Sequence, residues 1–213
     1  MSTTDYSFSE ELASAITHGF GAVASICAGA VLVTLAALSG DVWAIVGTSV
    51  FVGTLILLYT ASTLYHAVPP GRAKVALKTF DHCAIFALIA GTYTPFLLGS
   101  LRGPWGWSLF AVVWALAAAG IVFKLFFTGR FKLVSTLIYV GMGWLIVVAT
   151  GPMRELLAPS TLAWLVGGGL AYTLGTVFYM SQRRFAHAVW HGFVMAGSAC
   201  HVVAAFVEVL HLS

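Results

Sequence analysis

His187 and His191 open the last hydrophobic segment, RFAHAVWHGFVMAGSACHVVAAFVEVL, one helical turn apart. At about 100° per residue, His187, His191, Ser198, His201 and Glu208 fall on one stripe of a helix. Ionisable groups facing lipid cost several kcal/mol each, so the stripe must face other helices, a cavity or a metal. Two imidazoles at i and i+4 project in the same direction and can share a metal ion. The spacing recurs in zinc enzymes, although no glutamate follows the first histidine here as in HExxH proteases.

A second pair lies in YTASTLYHAVPP, where Ser62 and His66 share a face and Pro69 and Pro70 stop the helix. Alone, this pair reads as a serine bonded back to its helix and an interfacial histidine. With His187 and His191, His66 supplies the third neutral nitrogen of a catalytic zinc site, which takes three protein ligands and leaves a position for water. Asp81 then orients that water or accepts its proton, the alternative being a pair with Lys78 at the membrane surface. Glu11, Ser14 and His18 define one face of the first helix. Glu11 either caps the helix start or joins His18 in a second shell around a ligand.

These residues must be positioned by membrane helices. Of 213 residues, 60% are hydrophobic and 8% charged, against roughly 25% charged in soluble domains. The formal net charge of +3 is too slight and dispersed for nucleic acid. Apolar runs of about 20 residues predict an all-α integral membrane protein, one domain over 1–213. Its seven spans are 14–38, 42–66, 80–100, 105–127, 133–152, 160–180 and 187–210. The N-terminus lacks a basic n-region, so no cleavable signal peptide is expected.

Arg72, Lys74, Lys78, Lys124, Arg130, Lys132, Arg183 and Arg184 share one side with the N-terminus, and only Arg102 and Arg154 lie on the other. The positive-inside rule makes that side cytoplasmic and the C-terminus external, as expected for a multi-pass protein of the inner (plasma) membrane. His18, His66, His82, His187, His191 and Asp81 then gather near the cytoplasmic ends. Cys27, Cys83 and Cys200 lack CxxC spacing and read as small buried hydrophobes. Pro95 in AGTYTPF should kink the third span, with Thr92 or Thr94 satisfying the freed carbonyl and Tyr93 lining a cavity. Gly141, Gly143 and the glycines at 167–169 read as close-packing points or bends. Trp105, Trp107, Trp144 and Trp164 read as interfacial anchors or packing residues.

The strings EELASAITHGFGA, STLYH, FDHCAIFALIAGTYTPF and HAVWHGFVMAGSACH resemble the progestin and adipoQ receptor family, in its bacterial hemolysin III branch, over nearly the whole chain. The resemblance implies seven spans with a cytoplasmic N-terminus, and zinc held by residues matching His66, His187 and His191. It further implies that Asp81 contacts the metal-bound water and that Ser62 belongs to the motif. Ser14 departs from the pattern, which often has asparagine there. The family resembles alkaline ceramidases, implying hydrolysis of a lipid amide or ester, and its bacterial members are associated with membrane homeostasis. Cytolysis, implied by the hemolysin label, has no support in the residues. The leading expectation is a zinc-dependent hydrolase with a membrane-lipid substrate, in which Ser62 hydrogen-bonds the developing oxyanion. The alternatives are a membrane-state sensor with structural zinc, and a transporter or channel using His201 and Glu208.

Overall fold

The computed structural model describes residues 6–212, and among them it has helices and turns but no strand. The helices are α1 (Phe8–Ser39), α2 (Val42–Ala67), α3 (Arg72–Leu98), α4 (Pro104–Phe127), α5 (Lys132–Gly143), α6 (Thr150–Leu156), α7 (Pro159–Met180) and α8 (Ala186–Leu212). A 3₁₀ segment, Leu145–Ala149, joins α5 to α6, and Lys132–Leu156 together form the fifth of seven apolar spans. The chain is a multi-pass membrane protein. The outer face is clothed in exposed apolar side chains such as Phe20, Leu57, Phe126 and Val177, as lipid contact requires.

Two spans begin earlier than apolar counting predicts. The α1 helix starts at Phe8 because the Glu10 carboxylate accepts from Ser7 N at 3.0 Å and from Ser7 Oγ at 2.6 Å, closing its first turn. The α3 helix starts at Arg72, since RAKVALK is rich in strong helix formers although too polar to register as membrane span. Its Lys74 reaches back to donate to Tyr65 O and Val68 O, satisfying carbonyls where Pro69 and Pro70 end α2.

The α1 helix packs between α2 and α8, α2 against α3, α3 against α4, and α7 against α8. The fifth span crosses the remaining gap with sparser contacts to α3, α4 and α7. Close approach is set by small residues: a Cβ on Gly21 would lie 2.7 Å from the Tyr59 ring, and one on Gly168 2.4 Å from His201. Gly141 and Gly143 have no such neighbours and serve the break after α5. There the Tyr93 hydroxyl lies 2.7 Å from Met142 O and 2.8 Å from Gly143 O, and accepts from Ile146 N at 3.2 Å. A tyrosine thus serves the backbone groups freed where the helix is interrupted.

Two expectations need correction, and one left open is resolved. Thr92 and Thr94 donate to Leu88 O and Ala90 O, four residues back from each, so neither reaches the Gly91 carbonyl that Pro95 frees. Cys27 is exposed on the outer face and Cys200 half-buried; only Cys83 is buried. Trp144 donates to Thr173 Oγ1 inside the bundle, whereas Trp105, Trp107 and Trp164 are exposed near helix ends, where an interfacial belt belongs.

The packing is testable at α3–α4, where a Cβ on Gly120 would stand 2.2 Å from Phe86. Gly120→Leu should destabilise the protein by about 1–3 kcal/mol and lower its melting midpoint. Gly53, with nothing within 4 Å, should accept alanine with equal or higher stability. Thermal melts of both purified variants check the contrast.

Candidate metal centre

His66 ends α2 because the double proline behind it stops the helix, and His187 and His191 occupy the first turns of α8. The contact of α1 with both helices brings the three rings together. Their nearest ligand nitrogens all lie within 4.8 Å of one another, and His66 Nε2 is 3.2 Å from His187 Nε2. Two nitrogens on tetrahedral zinc at 2.0–2.1 Å would be about 3.3–3.4 Å apart. The observed pair matches this, and modest approach of the third ring completes the set.

Hydrogen bonds on the far sides of two rings fix their tautomers. His66 Nδ1 is 2.6 Å from Glu11 Oε2, and His191 Nδ1 is 3.3 Å from Ser14 O. A carboxylate and a carbonyl only accept, so Nδ1 carries hydrogen in each ring and Nε2 presents its lone pair inward when the imidazole is neutral. Buried His191 Nε2 has no hydrogen-bond partner, the condition a metal would relieve. These residues fit a metal ion: one ligand nitrogen from each of three rings lies within 4.8 Å of the others, with oxygen acceptors on the far side of two rings.

Glu11 does not cap α1; Glu10 does that. The second oxygen of Glu11 pairs with Lys74 Nζ at 2.9 Å, joining α1, α2 and α3. Ser14 acts through its backbone carbonyl, so serine in place of the expected asparagine leaves the contact to His191 intact. His18 is buried and stacks on His191 with ring centroids 3.4 Å apart, but both its nitrogens lack partners. It therefore touches the cluster through its ring face.

Asp81 is buried, and none of the three ion pairs among the described residues includes it, so the pairing with Lys78 does not form. Ser62 lies beside it, its buried hydroxyl making no hydrogen bond of standard geometry. Asp81 lines two cavities. One, of about 130 Å³, is walled mainly by apolar and aromatic side chains and reaches His18, Tyr93 and His201. The other, of about 190 Å³, has the more polar lining of the two and includes His187.

The later turns of the α8 stripe make hydrogen bonds to neighbouring helices and turns. Ser198 Oγ is 2.7 Å from both Tyr59 OH and Tyr172 OH, His201 Nε2 meets Leu165 O at 3.2 Å, and Glu208 Oε1 accepts from Ser100 N. Sequence reasoning missed Glu10, whose Oε1 accepts from Phe185 N at 3.0 Å and ties the start of α1 to that of α8. The string Ser7-Phe8-Ser9-Glu10 has the spacing of a capping box and could have revealed it.

The family model for Haemolysin-III related proteins matches residues 6–202. The hemolysin-3 homolog of Bacillus subtilis (strain 168) is 47% identical over 195 residues, covering 91% of this chain and 92% of that protein. Hemolysin-3 of Bacillus cereus is 47% identical over 191 residues, covering 89% and 87%. The human monocyte to macrophage differentiation factor is 31% identical over 204 residues, covering 92% and 82%. No solved structure matches the chain.

The hydrogen bonds to the rings predict unequal effects on metal affinity. Glu11→Ala should weaken metal binding about 10–100-fold, as loss of an outer-shell partner does. Ser14→Ala, which keeps the carbonyl, should leave affinity near wild type. Chelator competition on the purified variants measures both.

Proposed function

We propose, from the premise that the chain belongs to the Haemolysin-III related family of membrane proteins, that it is a zinc-dependent hydrolase of lipid amide or ester bonds, acting in membrane homeostasis. One observation carries this reading: of three clustered histidines, His187 lines a cationic cavity that meets an apolar cavity at the buried carboxylate of Asp81. Hydrolysis needs water and lipid at one point, and adjoining cavities of unequal polarity suit the two reactants.

In this reading His66, His187 and His191 hold zinc. Zinc bound there supplies a Lewis acid that lowers the pKa of water from 15.7 toward about 7. Glu11 and the Ser14 carbonyl keep two of the rings turned inward, and Lys74 holds Glu11. Asp81 orients the attacking water and accepts its proton, a role open to a carboxylate with no ion-pair partner. The Ser62 hydroxyl, beside Asp81 and held by no hydrogen bond of standard geometry, donates to the oxygen that gains charge as the carbonyl is attacked. The apolar cavity takes the hydrocarbon chain, with a further cavity of about 80 Å³ extending it past Tyr93 and Trp144.

A purely structural metal would be expected to close its coordination with a fourth protein ligand. Among the described residues the ligand cluster comprises the three histidines, which leaves a position for water and favours hydrolysis over a sensor with a structural tie. The hydrogen bonds that occupy Ser198, His201 and Glu208 speak against a conduction path through them.

Purified wild type and Asp81→Asn should each contain about one zinc per chain, whereas His187→Ala and His191→Ala lose it. Mass spectrometry of lipids incubated with the proteins should show turnover by wild type reduced about 10²–10⁴-fold in Asp81→Asn. Zinc retained by both histidine variants would remove the metal assignment. Identical lipid profiles for wild type and Asp81→Asn would remove the hydrolase.

A further inference from the structure

The polar cavity has a charge pattern that neither zinc binding nor bond cleavage requires. Lys78, Lys124, Arg130 and Lys132 line it, with Asp81 as the single carboxylate. None of the ion pairs among the described residues involves any of these four cations. They converge from separate elements: Lys78 from α3, Lys124 from the last turn of α4, and Arg130 and Lys132 from the turn into α5. That turn is tight, with Gly129 (φ 79°) and Phe131 (φ 53°) both left-handed, and it reverses the chain so that Lys124 and Lys132 border one space.

Lys124 is the telling member, since it is only 2% exposed. Among the described residues its ammonium has one hydrogen-bond acceptor, Ser135 Oγ at 2.6 Å, and otherwise stands about 6 Å from the Phe123 and Tyr139 rings. A buried cation with one neutral acceptor and no counter-charge is costly, and the cost is recovered when an anion enters. A carboxylate brings a single charge. A phosphate monoester brings close to two and three acceptor oxygens, which suits several cations around one space.

Asp81, Ile85, Tyr179 and Trp190 line this vestibule and also the apolar cavity, so an anionic group held by the cations beside His187 has its hydrocarbon leading past Asp81 into the apolar space. We propose that the vestibule is a phosphate-binding site and, resting on the hydrolase reading above, that the lipid handled here carries a phosphate at its polar end.

Equilibrium binding to the full-length protein in neutral detergent tests this with four probes: dioctanoyl phosphatidic acid, dioctanoylglycerol, decanoate and inorganic phosphate. Phosphatidic acid should bind at least about tenfold more tightly than the diacylglycerol of the same chains, the scale of one charge-assisted contact. Lys124→Gln should weaken it about tenfold or more. Arg130→Gln alters an exposed side chain and should weaken it in the same direction if Lys124→Gln fails to fold. Inorganic phosphate binding as tightly as phosphatidic acid would keep the phosphate site but assign it to soluble phosphate, overturning the headgroup. Equal affinity for diacylglycerol, decanoate matching phosphatidic acid, or wild-type binding by the folded variants would overturn the site itself. Binding requires no bond cleavage, so a lack of lipid turnover leaves this result standing. Turnover of neutral lipids without phosphate preference would sink this proposal alone.

Discussion

The Glu11 carboxylate holds the basic end of the bundle together. One oxygen meets His66 of α2 and the other meets Lys74 of α3, while its own helix packs against α8. His66 is fully buried and Glu11 and Lys74 mostly so, hence each would be costly unpaired, and their mutual satisfaction also fixes where three helices start or stop. Lys74 spends its remaining hydrogens on the last carbonyls of α2, and Glu10, one residue before Glu11, secures the backbone at the start of α8. The first turns of α1 are therefore a clamp across the histidine cluster.

The polar stripe of α8 divides by depth. Its first turns point nitrogens at a shared centre, and its later turns exchange hydrogen bonds with α2, α7 and the turn after α3. The Tyr59–Ser198–Tyr172 chain is of the second kind: two phenols from different helices converge on one serine hydroxyl. Such bonds add about 0.6 kcal/mol each in membrane bundles, enough to fix helix rotation without much global stability. Rotation matters here because a helix turned by one residue, about 100°, would carry His187 and His191 away from His66.

Much of this was legible in the sequence because the signals were local or compositional. Run length gave the spans, the His-x-x-x-His spacing gave a shared face, and the prolines after His66 placed it at a helix end. What escaped was set by contacts distant in sequence. Nothing about Lys74 or Lys124 as loop-proximal cations distinguishes one that caps a neighbouring helix from one that is buried in a cavity wall. By sequence Lys124 only reports orientation, yet its side chain is buried where the tight turn after α4 reverses the chain. Likewise the fifth span looked continuous by hydropathy. Its break follows from two glycines without packing neighbours and from a tyrosine on another helix placed to serve the freed backbone.

That break bears on the cavities. A straight fifth helix would complete its own backbone hydrogen bonds and could pack closely against α3 and α7. The interrupted one makes few contacts with them and leaves the space into which Tyr93, Trp144 and Tyr172 project. Tyr93 both serves the broken backbone and lines the cavity that the break helps to open, so the local cost of interrupting a membrane helix is offset at the site that uses the space. The polar vestibule arises at the other end of the same span, where α5 begins with Lys132 after the tight turn. One irregular span thus borders both cavities, and α3 holds Asp81 at their junction.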